Sequence, residues 1–250
     1  MENDFELREK FDVNYMFKMG YYFGNLGNYD LMKKYYLMAI EHGSIIAMFN
    51  LGCYYDDIND FDEMKKYYLM AIKYGNIQSM NNLGRYYYNI NNYTEMEKYY
   101  LMAIKLGHPS SMHNLGFYYE KNKNYDLMKK YYLMAIEKDF EESILRLGNY
   151  YYNIENYDEM KKYYLIGIER GDERLMYNLG LYYQTIEQNY ELMQKYYLMA
   201  IEKGNNEARY NLCIYNLGTD YPDELKKILL MEIIKGAKEF INDLEVYKNE

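Results

Sequence analysis

Tryptophan is absent from the 250 residues, proline and cysteine occur twice each, and histidine three times. Two prolines leave long stretches in which nothing interrupts a helix. Two cysteines, Cys53 and Cys213, five repeats apart, make no disulfide framework and fit a reducing interior. His42, His108 and His113 have no cysteine or acid at a zinc-ligand spacing beside them, so no metal or other cofactor is expected. A phosphate-binding glycine loop, a Gly-x-Ser-x-Gly turn and a Cys–His pair are all missing, which argues against an enzyme. No run approaches the roughly 18 apolar residues of a membrane span. The opening Met1-Glu2-Asn3-Asp4 lacks the apolar core of a secretory signal, so the chain reads as intracellular and cytoplasmic. Cations are outnumbered 29 to 38, for a net charge of −9. A nucleic-acid groove needs the opposite balance.

Half the residues are apolar, enough for a sizeable core, and 38 of the 250 are tyrosine. Two readings of the tyrosines stand side by side. Tyr, Asn, Lys, Ile and Phe all come from A/T-rich codons, so the excess can reflect codon bias. Tyrosine is also enriched where surfaces meet.

The hexapeptide Tyr-Tyr-Leu-Met-Ala-Ile organises the rest. It runs from Tyr35 to Ile40, restarts at Tyr67, Tyr99 and Tyr131, becomes Tyr-Tyr-Leu-Ile-Gly-Ile at Tyr163, and returns at Tyr196. The interval is 32 residues, except for a last interval of 33 with one extra residue between Gln184 and Asn189. Such a period means stacked supersecondary units in place of one globular core. The fold expected is all-α: a right-handed α-solenoid of about seven helix-turn-helix repeats, closed by a C-terminal capping helix. Residues 1–12 read as a lead-in, 13–236 as the repeat array and 237–250 as the capping helix. The segment Leu225 to Met231 mirrors Met64 to Met70 in disguise, and Gly236 falls in register.

Within one unit, Ser44 should cap a first helix with Ala47, Leu51 and Tyr55 on one face. Asp60 should cap a second whose core face holds Met64, Tyr67, Tyr68, Ala71 and Ile72, and Gly75 should close it. The second-helix caps recur as Asn28, Asp60, Asn92, Asn124, Asn156 and Asn189, usually with an acid two residues on, where the helix dipole favours it. Pro109 sits where a first helical turn tolerates it. A glycine also recurs inside each first helix: Gly20, Gly52, Gly84, Gly116, Gly148 and Gly180. Each costs about 1 kcal/mol of helix propensity, roughly 6 kcal/mol together. Close approach of the paired helix, which any Cβ would block, is the expected offset.

The string Ala39-Ile40-x-x-Gly43-x-x-x-Ala47-x-x-x-Leu51-Gly52-x-x-Tyr55 resembles the Sel-one-like repeat, a branch of the tetratricopeptide-like superfamily. Copies at Ala71–Tyr87, Ala103–Tyr119 and Ala200–Cys213 extend the likeness over about residues 13–236. The Tyr- and Asn-rich wording also resembles repeat proteins of large DNA viruses of amoebae. The resemblance implies an adaptor that holds other proteins along a curved solenoid. This chain departs from the family pattern in three ways. Its unit is short, lacking the customary glycine-containing insertion between helices. Met32, Met64, Met96, Met128, Met160 and Met193 replace a small core residue, implying a wider or looser gap there. Leu37, Met38 and their copies occupy positions that are usually polar.

Two faces could carry function. Helical-wheel arithmetic turns Phe49 and Cys53 away from Leu51, onto the side of the first helix that would line a concave groove. The matching positions vary between repeats: Asn81 and Arg85, His113 and Phe117, Leu145 and Asn149, Tyr177 and Leu181. Variation over a constant core suits a groove for a peptide or partner protein, or drift on an unselected surface. The flanking Asn50, Asn82, Asn114, Asn178 and Asn211 could bond a partner's backbone or tie one helix to the next. On the second helix Leu37, Leu69, Leu101, Leu133, Leu165 and Leu198 point outward, in a convex ridge that could drive self-association. The principal reading is a non-catalytic protein–protein interaction scaffold. A self-associating structural subunit and an RNA-binding helical-repeat protein are the rivals.

Overall fold

The computed structural model describes residues 12–217, and among these every regular element is an α-helix. The expected lead-in (bar Asp12), the disguised repeat after residue 217 and the expected terminal helix lie outside the described residues. Thirteen helices follow one another: α1 (Val13–Asn25), α2 (Tyr29–Glu41), α3 (Ile45–Asp57), α4 (Phe61–Lys73), α5 (Ile77–Asn89), α6 (Tyr93–Lys105) and α7 (Pro109–Lys121) come first. Then come α8 (Tyr125–Ile136), α9 (Glu141–Asn153), α10 (Tyr157–Glu169), α11 (Glu173–Thr185), α12 (Tyr190–Glu202) and α13 (Asn206–Leu217). The chain divides into two compact units, Met1–Phe140 and Glu141–Glu250. The first holds the hairpins α1–α2, α3–α4, α5–α6 and α7–α8; the second holds α9–α10, α11–α12 and α13.

Polar punctuation sets the helix boundaries. Asn28, Asp60, Asn92, Asn124, Asn156 and Asn189 all accept a backbone N–H of the first helical turn, three residues on. Ser44, Asn76 and His108 do the same for α3, α5 and α7, and Pro109 sits at the start of α7. Each cap satisfies a donor that the helix leaves open, worth about 1 kcal/mol.

Both kinds of turn close through a left-handed residue. After an even helix it is Gly43, Gly75, Gly107, Gly171 or Gly204, with Asp139 (φ 60°) the exception. After α1 it is Gly27, but after the other odd helices it is Asn59, Asn91, Lys123, Glu155 or Gln188. The glycine missing from these turns is therefore replaced by a residue that adopts the same backbone state. In the second hairpin Asp60 N–H reaches back to Tyr55 C=O at 2.9 Å, which ends α3 with its carbonyls satisfied. The residue that lengthens the last interval is absorbed in the α11–α12 turn, where Asn189 N–H spans to Tyr183 C=O at 2.9 Å.

Packing is serial. Each even helix packs on its own odd helix and, within a unit, on the next odd helix; α3, α5 and α7 also touch in succession, as do α11 and α13. Leu51, Leu83, Leu115 and Leu147 are fully buried, each worth about 1.5–3 kcal/mol. The methionines from Met64 to Met193 in the repeated series are fully buried as well. A flexible side chain fills the space at the position where a small residue is usual.

The internal glycines meet one partner each. A Cβ on Gly52 would lie 2.5 Å from Tyr68 Cδ1, and one on Gly84 would lie 2.5 Å from Tyr100 Cδ1. Gly20 faces Tyr36, Gly116 faces Tyr132, Gly148 faces Tyr164 and Gly180 faces Tyr197 in the same way. The close approach that offsets the propensity cost is a tyrosine ring set against the glycine, in all six described hairpins.

Candidate functional site

The odd-helix residues expected to face a groove form a second layer over those buried tyrosines. Phe49 stacks on Tyr68 with centroids 6.1 Å apart, Tyr177 on Tyr197 at 5.9 Å, and His113 lies against Tyr132 at 5.4 Å and Phe140 at 4.9 Å. Cys53 Sγ accepts the Tyr68 hydroxyl at 3.4 Å, and Asn149 Oδ1 accepts that of Tyr164 at 2.7 Å. Asn81 Oδ1 receives Ser111 Oγ–H at 3.0 Å and Asn114 Nδ2–H at 3.2 Å, which binds α5 to α7. Lys121 Nζ sits 5.2 Å from the centre of the Phe117 ring. Leu145 and Leu181 are half-buried, and Arg85 alone of the ten is well exposed, paired with Asp56 at 3.0 Å.

This corrects one expectation. Apart from Arg85, the residues opposite Leu51 on the wheel are not turned fully to solvent: rings of the paired helix cover Phe49, Cys53, His113, Asn149 and Tyr177, and the next odd helix holds Asn81. The wheel knows one helix, and the Tyr68 ring belongs to another.

Within each unit the asparagine series ties one hairpin to the next. Asn50 Nδ2 donates to Tyr36 Oη at 3.2 Å and Asn82 Nδ2 to Tyr68 Oη at 3.1 Å, while Asn211 reaches Tyr197 Oη at 3.5 Å and Tyr177 Oη at 3.2 Å. Asn114 and Asn178 occupy the same places beside Tyr100 and Tyr164, where each works against the rise of the phenol's value. Gly52, Tyr68 and Asn82 thus form one device: glycine seats the ring, and asparagine of the next hairpin holds its hydroxyl. Burial pushes the Tyr68, Tyr100 and Tyr164 phenols far above their ordinary value, and that of Tyr197 up to about 12. Where Arg146 replaces the asparagine, Tyr132 donates to the Glu120 carboxylate instead.

Most of the remaining aromatic excess also goes to helix contacts. Tyr55 stacks on Tyr67, Tyr87 on Tyr99, Tyr119 on Tyr131, Tyr151 on Tyr163 and Tyr183 on Tyr196, with centroids 5.5–5.7 Å apart. A further set bridges successive hairpins: Tyr29 to Tyr54 at 5.3 Å, Phe61 to Tyr86 at 5.2 Å, and Tyr157 to Tyr182 at 5.1 Å. Tyrosine serves here chiefly as the chain's own packing residue.

On the even helices Leu37, Leu69, Leu133, Leu165 and Leu198 are 40–51% exposed, while Leu101 is half-buried. Lys66 and Lys98 lie over Tyr67 and Tyr99, at 4.8 and 5.0 Å, beside this stripe. A third surface escaped the sequence reading. At the odd-to-even turns an exposed aliphatic residue precedes an exposed aromatic by three: Leu26 and Tyr29, Ile58 and Phe61, Ile90 and Tyr93. Its only sequence signal is this pairing, repeated across a turn that was read for its caps. Among the described residues no group of three or more His, Cys, Asp or Glu side chains could hold a metal, and no helix is long and apolar enough to cross a membrane.

Comparison with known proteins agrees with this geometry. Family models described as tetratricopeptide repeat match residues 13–41, 45–74, 77–107, 109–139 and 141–169, so that together they cover well over half of the chain, one hairpin at a time. No curated protein matches. Among solved structures, a protective antigen of uropathogenic Escherichia coli strains displaying an SLR fold superposes with a TM-score of 0.63 at 19% identity, covering 92% of this chain and 54% of that one. This chain therefore spans about half the length of that protein. A Sel1 repeat protein from Oxalobacter formigenes gives 0.59 at 19% identity, covering 77% and 88% of the two chains. The human IFIT1 dimer with PPP-AAAA gives 0.57 at 14%, covering 99% and 65%. Identities this low speak for the fold alone. With its repeated hairpins and the family matches that follow them, the chain belongs to the tetratricopeptide-like repeat superfamily.

Proposed function

We propose that the chain is a non-catalytic protein-interaction scaffold of the Sel-one-like branch, receiving a peptide or partner protein on the odd-helix face. One observation carries the reading. The side chains that differ between hairpins, Phe49, Asn81, His113 and Tyr177 among them, are half-exposed yet held in place by contacts within the chain. A surface ordered beforehand loses little side-chain entropy on binding, which favours its use for recognition. The constant tyrosine, glycine and leucine positions beneath it are spent on the scaffold.

The test is peptide selection from a random display library against the purified chain, repeated with Arg85, His113 and Phe117 replaced together by alanine. Loss of the selected binders, with helical content retained by circular dichroism, supports the reading. Undiminished binding moves the site off this face.

A second reading rests on the even helices. Five leucines exposed by 40% or more favour a structural subunit that associates with further copies through that stripe. Sedimentation as a monomer at tens of micromolar, unchanged by Leu37→Glu, Leu69→Glu and Leu133→Glu together, would remove it. The acidic balance weighs against RNA as the ligand, the likeness to the PPP-AAAA complex notwithstanding.

A further inference from the structure

We propose that the odd-to-even turn edge of the first three hairpins docks a basic, extended protein segment with aliphatic anchors at every third residue. Three observations meet there. Leu26, Ile58 and Ile90 are 62%, 52% and 50% exposed, far more than a structural role requires. The aromatic three residues on from each is fixed by a ring in the next hairpin, as Phe61 is by Tyr86, and so offers a rigid wall. At the second of these turns lies an open depression of about 670 Å³, lined by Ile58, Asn59, Asp60, Phe61, Asp62, Lys65 and Tyr86.

Charge selects the occupant. Residues 25–32, 57–64 and 89–96, which span the three turns, contain six acids and no lysine or arginine. Asp62 pairs with Lys65 at 3.0 Å and Asp30 with Lys33 at 3.2 Å, but both carboxylates stay 95% exposed, and such pairs hold weakly in water. Asp57 and Asp60, on either side of Ile58, are exposed and in no ion pair among the described residues. The opposite edge differs: its exposed Tyr74 and Leu106 follow Lys73 and Lys105. A lysine- or arginine-bearing segment therefore gains on the first edge and loses on the second.

Spacing sets the register. Packed helices of successive hairpins stand about 10 Å apart, and an extended polyproline II chain has about three residues per turn and rises about 3.1 Å per residue, so anchors at i, i+3 and i+6 share one face and match Leu26, Ile58 and Ile90. Lysine and arginine then fall between the anchors, toward Asp57 and Asp60.

Fluorescence anisotropy with three labelled heptapeptides tests this on the full chain: Leu-Lys-Arg-Leu-Lys-Arg-Leu, the same peptide with serine for leucine, and Leu-Glu-Asp-Leu-Glu-Asp-Leu. The first is expected to bind, the second about tenfold more weakly, and the third not measurably. Ile58→Asn with Ile90→Asn should weaken the first about tenfold. Asp57→Asn with Asp60→Asn should weaken it several-fold and flatten its salt dependence. Asparagine already stands at the equivalent positions Asn122, Asn25, Asn89, Asn28 and Asn92, so both double variants suit the fold. Equal affinity for all three peptides, or affinity unmoved by both double variants, overturns the proposal. So does a dimer of the unliganded chain that Ile58→Asn with Ile90→Asn dissolves, since the edge would then serve a second copy. The alanine triple variant of the odd-helix face should keep the basic peptide, which separates failure here from failure of the scaffold reading.

Discussion

Gly167 and Leu175 exchange the sizes found at their register positions elsewhere. The even-helix position is otherwise Ala39, Ala71, Ala103, Ala135 or Ala200, and the odd-helix position eight residues on is Ala47, Ser79, Ser111, Ser143 or Ala208. At Gly167 the missing methyl makes room for a leucine: a Cβ there would fall 2.0 Å from Leu175 Cδ1 and 3.5 Å from Ile144 Cγ2. Leu175 is fully buried, so its methyl has little space to retreat. Gly167→Ala gains about 1 kcal/mol of helix propensity but incurs about 1–3 kcal/mol of overpacking, for an expected net loss. Leu175→Ala should cost about 2–5 kcal/mol, the cavity facing a glycine that cannot fill it. In the double variant the new Cβ occupies part of that cavity, the clash is gone and the propensity gain survives. The double variant should therefore be more stable than Leu175→Ala alone, with a coupling of about 2 kcal/mol. Urea unfolding of the four proteins, followed by far-ultraviolet circular dichroism, measures this. Additivity to within about 0.5 kcal/mol would refute the compensation argument.

Other outcomes follow from single contacts. Gly84→Ala drives a methyl into the Tyr100 ring and should destabilise by about 1–3 kcal/mol despite its better helix propensity, read as a lower unfolding midpoint. Ser79 Oγ is buried without a partner, so Ser79→Ala should be neutral or stabilise by about 1 kcal/mol. Ser111→Ala removes the bond to Asn81 and should lower the melting temperature instead. Glu155 holds a left-handed backbone (φ 58°), so Glu155→Gly should stabilise by up to about 1 kcal/mol. The buried phenols predict alkaline unfolding. Their folded-state values lie above the ordinary 10, as for Tyr182 and Tyr197 at about 12, so above pH 10 the unfolded chain releases more protons and stability falls. Phenolate absorbance and helix loss should rise together between pH 10 and 12, and titration of the buried tyrosines with helices intact would contradict this.

Much of the architecture was legible before any coordinates. The hexapeptide period, the caps from Asn28 to Asn189 and the closing glycines are local features, and local geometry follows from residues close in sequence. The internal glycines announced a close contact, though not with what. Tyr68 lies sixteen residues from Gly52 and Asn82 fourteen beyond that, and a wheel drawn for one helix contains neither. For the same reason Phe49 and Cys53 looked solvent-facing until the ring above Gly52 was placed.

The repeat in the sequence by itself determined serial helical hairpins, because each hairpin is specified by spacings within about one period. Only the tertiary structure decided which tyrosines are scaffold and which apolar residues stay outside, since burial depends on what a neighbouring hairpin brings. Leu51 lies mid-helix in α3 and is buried against the preceding hairpin and its own paired helix, whereas Ile58, capping the end of the same helix, stays half in water because no neighbouring element covers it.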